Sequence, residues 1–122
     1  MKAKILVIDD ELHICNLLEE FLTREGYDVT TSTSAREGIE KIKVERPQII
    51  LLDIRMPDMS GIEAIKKIRE VDKNVGIIMA TAVMDEKIAQ EAIKLGAEEY
   101  IVKPFDLDYL KKSLLAKIAT LI

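Results

Sequence analysis

The residues of this 122-residue chain most able to do chemistry stand where short aliphatic runs end. Asp9, Asp10 and Glu11 come directly after the run at 5–8, Asp53 after 49–52, Thr81 after the run that begins at 75, and Lys103 and Pro104 after 100–102. Carboxylates gathered without thiols, and with a single His nearby at His13, form a hard-oxygen donor set suited to Mg²⁺ or Mn²⁺ rather than zinc or copper. Mg²⁺ usually takes one or two protein carboxylates, keeps some water and accepts phosphate oxygens in its remaining positions. Lys103 adds a positive point charge and Thr81 a hydroxyl donor, and both suit phosphoryl oxygens. The set reads as a phosphoryl-transfer pocket in which one carboxylate could itself be the nucleophile. Nucleotide-binding folds place glycines at such turns so that backbone can approach phosphate. An Asp-Asp-Glu turn would repel phosphate unless a cation intervened, so a dinucleotide site is not expected.

These side chains can meet only if the elements that carry them end together. The aliphatic runs at 5–8, 49–52, 75–79 and 100–102 lack polar alternation, as in strands covered on both faces, and a weaker strand is expected at 27–31. Helical periodicity fills the gaps. Ile14, Leu17, Leu18, Phe21 and Leu22 share one stripe that Gly26 should stop. Residues 34–37 read as a capping box opening a second helix with Ile39 and Ile42 inward. A third helix begins near Gly61 and buries Ile62, Ile65 and Ile68. A fourth carries Ile88, Ala89, Ala92 and Ile93 and stops at Gly96. The last starts after Asp106, read as its N-cap, with Leu107, Leu110, Leu114, Ile118 and Leu121 along one stripe. Five strand–helix units in strict alternation predict an α/β fold, a parallel sheet with helices on both faces and right-handed crossovers. Ligands of such sheets bind beyond the carboxyl ends of the strands, where the strand order reverses. The carboxylates, the hydroxyl and the ammonium are thereby predicted to converge at one edge.

Composition narrows the class. At 48% apolar and 33% charged, with a net charge of -4, the chain is a folded domain rather than a disordered one. Its single Cys excludes a disulfide framework. No apolar run approaches the ~20 residues that span a bilayer, and the apolar stretch at 5–8 is too short for a signal peptide. A cytoplasmic protein with neither nucleic acid nor membrane as its main partner is expected.

Four motifs, VIDDE at 7–11, LLDIRMPDMSG at 51–61, ATA at 80–82 and KPF at 103–105, resemble together the receiver domain of two-component response regulators, in order and over essentially the whole chain. The resemblance implies a flavodoxin-like (βα)5 fold with strand order 2-1-3-4-5, occupying residues 1–122. It implies that Asp53 is the phosphoryl acceptor. Asp10, Asp53 and the main-chain carbonyl of Arg55 would hold Mg²⁺, and Asp9 would act mainly through a water. Thr81 and Lys103 would hold phosphoryl oxygens, and the Lys103–Pro104 peptide bond would be cis. Phosphorylation adds a charge of about -1.5 to -2. Thr81 would then move toward the phosphoryl group and Tyr100 into the space it leaves, remodelling the face of helix 4, strand 5 and helix 5. Arg55 and Val83, each two residues beyond a site residue, are positions where a side chain can admit or exclude the attacking water.

A histidine kinase or histidine phosphotransferase would be the phosphoryl donor, docking against His13, Ile14, Leu17, Pro104 and Phe105, with a downstream protein as the target. The protein is expected to be a monomer, with dimerisation through the helix 4 to helix 5 face on activation left open. With the whole chain consumed by this fold, a single-domain, chemotaxis-regulator-like protein or a phosphorelay intermediate is expected. Two other readings compete. An Mg²⁺-dependent phosphatase with an aspartyl nucleophile would need a second acid at position 55, which is Arg. A non-phosphorylated receiver-like binding module would not need the complete set of site residues. Taken alone, Asp9 and Asp10 could merely cap the first helix. Cys15, on the stripe of Leu18 and Leu22, is read as packing, and His13 as an ordinary helical residue.

Overall fold

The structure is a computed structural model that describes residues 3–82, 85–103 and 106–121, leaving aside the side chains of 118, 119 and 121. Strands β1 (Lys4–Ile8), β2 (Asp28–Ser32), β3 (Ile49–Leu52), β4 (Gly76–Thr81) and β5 (Glu99–Val102) alternate with helices α1 (Leu12–Arg24), α2 (Ala35–Glu45), α3 (Gly61–Val71), α4 (Glu86–Lys94) and α5 (Leu107–Leu121). All four strand pairings are parallel, and the sheet order is β2-β1-β3-β4-β5. This is the doubly wound order that the motifs implied. The order reverses between β1 and β3, and that is where the site lies.

The three central strands carry runs with no polar break, and every residue of β3 and β4 is buried. Such strands are stable only between two helical layers. One layer packs α2, α3 and α4 against Leu6, Ile8, Ile50, Leu52 and Ile77. The other packs α1 and α5 against Ile5, Val7, Ile49, Leu51 and Ile78. The edge strands differ. In β2 only Ser32 is fully buried, and in β5 only Ile101 is. The expectation that the run at 100–102 is covered on both faces is therefore corrected: β5 closes the sheet, and Val102 stands 37% exposed.

Helix ends follow their capping chemistry. Ser34 Oγ accepts the Glu37 N–H and Ser60 Oγ the Glu63 N–H, while Asp85 and Asp106 carboxylates accept first-turn N–H groups of α4 and α5. The capping box at 34–37 is only half made, because the Ser34 N–H goes to Ser32 Oγ. Gly26 and Gly96 end α1 and α4 at φ +97 and +100, where a side chain would be strained. Arg69, on α3, donates to the carbonyls of Leu95 and Gly96 and to those of Lys73 and Val75, fastening the end of α4 to the turn before β4.

Two apolar positions placed on helical stripes face outward, one of them, Leu17, also expected on the docking surface. Leu17 is 44% exposed and Ile93 49%. The buried stripe of α1 is Cys15, Leu18 and Leu22, and a residue two places from Cys15 turns about 200° away from the sheet. On α4 only Ala92 is fully buried, and Ile93 sits a further 100° or so round. Ile118 and Leu121 lie outside the described side chains.

Gly61 opens α3 under the β3–α3 loop, and a Cβ there would come within 2.8 Å of the Ile54 backbone. Gly61→Ala should therefore lower the unfolding free energy by about 1–3 kcal/mol, seen as a reduced denaturant midpoint at unchanged m-value.

Candidate functional site

The parallel register sets the site. Because Ile8 pairs with Leu52 across β1 and β3, the next residues, Asp9 and Asp53, leave the sheet side by side. The Asp9 N–H bonds back to Ser32 and the Asp53 N–H to Ile8, so both turns are still pinned to the sheet where the carboxylates emerge. Asp9 is 3% exposed and Asp53 5%, whereas Asp10 is exposed. Ligand oxygens of Asp9, Asp10 and Asp53 all lie within 4.8 Å of one another.

Lys103 completes the cluster from the far side. Its ammonium sits 2.6 Å from Asp9 Oδ2, 3.3 Å from Asp53 Oδ2 and 3.6 Å from Glu11 Oε1, on a side chain only 8% exposed. Burial alone would depress the Lys103 pKa, but the hydrogen bond and charge of Asp9, with the charge of Asp53, hold it above its ordinary value. Asp53 is pushed the other way from a typical ion-paired acid. Desolvation raises its pKa above the ordinary 3.8, assisted by the Asp9 charge, and the Arg55 N–H and Lys103 compensate only in part. Asp53 Oδ1 accepts that Arg55 N–H at 3.0 Å.

The capping alternative for Asp9 and Asp10 fails on geometry. Glu11 is the N-cap of α1, no side chain caps that helix, and Asp9 Oδ1 accepts the Glu11 N–H instead. Thr81 is fully buried at the end of β4, with its carbonyl accepting the Lys103 N–H at 2.7 Å. Tyr100 is half-buried against the α3–α4 layer and lines a small pocket with Ile54, Arg55, Asp85 and Ile88. Arg55 keeps an exposed side chain and pairs with Ser60 across the β3–α3 loop. Cys15 is wholly buried, its thiol directed at the Asp9 carbonyl at 3.2 Å. Desolvation and the Asp9 charge push it up to about 11, which keeps it a packing residue.

The residues expected to dock a partner from α1 differ in exposure. His13 is exposed and paired with Glu11 at 3.3 Å, Ile14 is half-buried and Leu17 is exposed. Leu12, 63% exposed beside them, gives no periodic signal because it shares a helical period with no other outward apolar residue. Val83, Met84, Pro104 and Phe105, with the cis bond expected at Pro104, lie outside the described residues.

A model of the response regulator receiver domain matches residues 5–115. The chain belongs to that family. Chemotaxis protein CheY of Thermotoga maritima is 42% identical over 106 residues, covering 86% of this chain and 88% of that protein. Sporulation initiation phosphotransferase F of Bacillus subtilis is 36% identical over 111 residues, covering 91% and 90%. Among solved structures, a CheY-like receiver domain protein from Methanospirillum hungatei superposes with a TM-score of 0.95 at 30% identity, covering 99% of this chain and 97% of that one. The protein is thus a receiver-type, phospho-accepting signalling domain of the two-component and phosphorelay class. Its acidic pocket has the oxygen donors that a divalent cation and an aspartyl phosphate require. Among the described residues no helix is long and apolar enough to cross a membrane.

A carboxylate whose pKa is raised by folding penalises the folded state when ionised, and the penalty vanishes below its unfolded value. Without divalent cation, Asp53→Asn should therefore melt higher than wild type at pH 7, because Lys103 keeps Asp9 as its partner. The difference should shrink as the pH falls toward 3.8, and thermal melts across that range read it directly.

Proposed function

We propose that Asp53 accepts a phosphoryl group from the phosphohistidine of a histidine kinase or histidine phosphotransferase, in a pocket completed by Mg²⁺, with Mn²⁺ as a substitute. The observation that carries this reading is the Lys103 ammonium shared between Asp9 and Asp53 beyond the end of a fully buried strand. A buried acid with a raised pKa, a fixed cation beside it and an exposed carboxylate at its rim is a poor structural device and a good acceptor site.

Asp10, Asp53 and the Arg55 carbonyl would hold the metal, and Asp9, occupied by Lys103 and the Glu11 N–H, would act through a water. The donor set is all oxygen and fits a hard divalent cation, which would neutralise charge on the transferring phosphoryl group. The chain's own groups do the rest. The Arg55 N–H fixes Asp53 Oδ1, and the Lys103 ammonium holds Oδ2. An Asp53 oxygen attacks phosphorus in line, the O–P bond forms as the P–N bond breaks, and the imidazole leaves with the electron pair and takes up a proton. Lys103 then exchanges part of its pairing with Asp53 for a phosphoryl oxygen, and the Thr81 hydroxyl donates to another.

The same chemistry would drive the switch. Movement of Thr81 would draw Tyr100 toward it, and the face of α4, β5 and α5 would change shape for a downstream protein. Leu12, Leu17 and His13, exposed on α1 beside the pocket, would dock the donor together with Ile14, Pro104 and Phe105.

Incubation with Mg²⁺ and phosphoramidate should add the mass of one phosphoryl group to the wild-type protein and nothing to Asp53→Asn. An unmodified wild type would overturn the assignment. Mg²⁺ at about a hundred times its Kd should stabilise the wild type by about 2.7 kcal/mol, and Asp53→Asn by much less. Beryllofluoride with Mg²⁺ should shift the NMR signals of Tyr100 and α4, and an unchanged spectrum there would refute the switch.

A further inference from the structure

The loop between β3 and α3 is held by a side chain that belongs neither to the acidic cluster nor to the core. Asp58 turns both carboxylate oxygens to the N-terminus of α2. Oδ1 accepts the Ala35 N–H at 3.2 Å, and Oδ2 accepts the Arg36 N–H at 3.0 Å and the Ser34 hydroxyl at 3.1 Å. Ser34 caps its own helix only once, through the Glu37 N–H. The first-turn N–H groups of Ala35 and Arg36 are thus met by an acid 23 and 22 residues away in sequence, at the positive end of the helix. Desolvation is the largest single influence on Asp58 and raises its pKa, but the bonds from Arg36, Ala35 and Ser34 together outweigh it and hold the carboxyl below its ordinary value.

Both ends of this clamp connect to the cation site. On the loop side, the Arg55 N–H bonds to Asp53, Arg55 pairs with Ser60, and the Gly61 N–H bonds to the Ile54 carbonyl. Residues 55–60 therefore form a closed loop with Asp58 near its tip, and with Asp10 they line an open cleft. On the α2 side, Ser32 Oγ donates to the Ser34 carbonyl, and the Ser32 carbonyl accepts the Asp9 N–H at 3.0 Å. A chain of hydrogen bonds thus runs from Asp9 through Ser32 and Ser34 to Asp58, on the loop that leaves Asp53.

We propose that Asp58 is a positioning residue for the cation site: by clamping loop 55–60 to the N-terminus of α2 it fixes the Arg55 carbonyl relative to Asp10 and Asp53, and so sets Mg²⁺ affinity. The inference rests on the reading of Arg55 as a main-chain ligand. Ordering the loop during folding removes that cost from the binding step. Chemistry at Asp53 itself, once the metal is bound, does not involve Asp58.

The test compares wild type, Asp58→Ala and Asp58→Asn by calorimetric titration with MgCl₂ and by phosphorylation rate with phosphoramidate across Mg²⁺ concentrations. Asp58→Ala should raise the Mg²⁺ Kd about 10-fold, the size expected for losing a group that orients a metal ligand. Its rate at saturating Mg²⁺ should stay within about twofold of wild type, a split that simple destabilisation would not produce. Asp58→Asn keeps one acceptor oxygen, enough for the Arg36 N–H and the Ser34 hydroxyl but not also for the Ala35 N–H, and should raise the Kd by a smaller factor than Asp58→Ala. An unchanged Kd in folded Asp58→Ala overturns the proposal, and so does a phosphorylation rate at saturating Mg²⁺ that falls as far as the affinity. If Asp58→Ala does not fold, an unchanged Kd in Asp58→Asn overturns it as well. A wild type that binds no Mg²⁺ and gains no phosphoryl group defeats the proposed function itself, an outcome distinct from these.

Discussion

One ammonium makes this arrangement tolerable. Two carboxylates, Asp9 and Asp53, are buried side by side at the end of an aliphatic sheet, and Lys103 stands within 2.6 and 3.3 Å of them. An unpaired charge in that setting would cost several kcal/mol, so the three groups form a unit in which removal of any one changes the state of the others. The strand order serves the same requirement. Asp9 and Asp53 stand side by side because β1 lies beside β3, and Lys103 must reach them from β5 across the end of β4. Its backbone is anchored for that reach by the carbonyl of Thr81, the last residue of β4, which accepts the Lys103 N–H.

That unit is incomplete as electrostatics. Lys103 leans more closely on Asp9 than on Asp53, and burial, which Lys103 and the Arg55 N–H offset only in part, leaves the Asp53 pKa raised. Asp10, exposed at the rim, carries the charge that solvent and cation can reach. The three acids therefore occupy three environments although they issue from only two strand ends. One is paired closely with Lys103, one more loosely, and one is open to solvent. Differences of environment of this kind are how chemically identical side chains acquire separate roles.

Much of this was legible in the sequence because it depends on where aliphatic runs stop. The runs at 5–8 and 49–52 fix two strand ends to the residue, and each gives way at once to an acid. Periodicity also located all five helices. The interactions that escaped depend on the angle at which elements pack. Leu17 and Ile93 lie on helical periods yet point outward, because α1 and α4 present narrower faces to the sheet than their composition suggests. Asp58 sits in a turn sequence, MPDMSG, and nothing local shows that its oxygens reach a helix that begins 23 residues earlier. Arg69 carries no sequence signal apart from its charge on α3, but its guanidinium serves backbone carbonyls from two other segments. Long side chains satisfying distant backbone groups leave no periodic trace.

The two edge strands carry a consequence for how the domain behaves in company. A parallel sheet ends in rows of unpaired N–H and C=O groups that can template another chain. Here β2 is Asp-Val-Thr-Thr-Ser and four residues of it remain at least partly solvated, while β5 is only four residues long and opens on Glu99, whose carboxylate bonds to Tyr109 and Ser113 of α5. Short, polar margins of this sort deter strand-to-strand annealing between copies. Copies of the domain can thus be crowded together without their sheets joining.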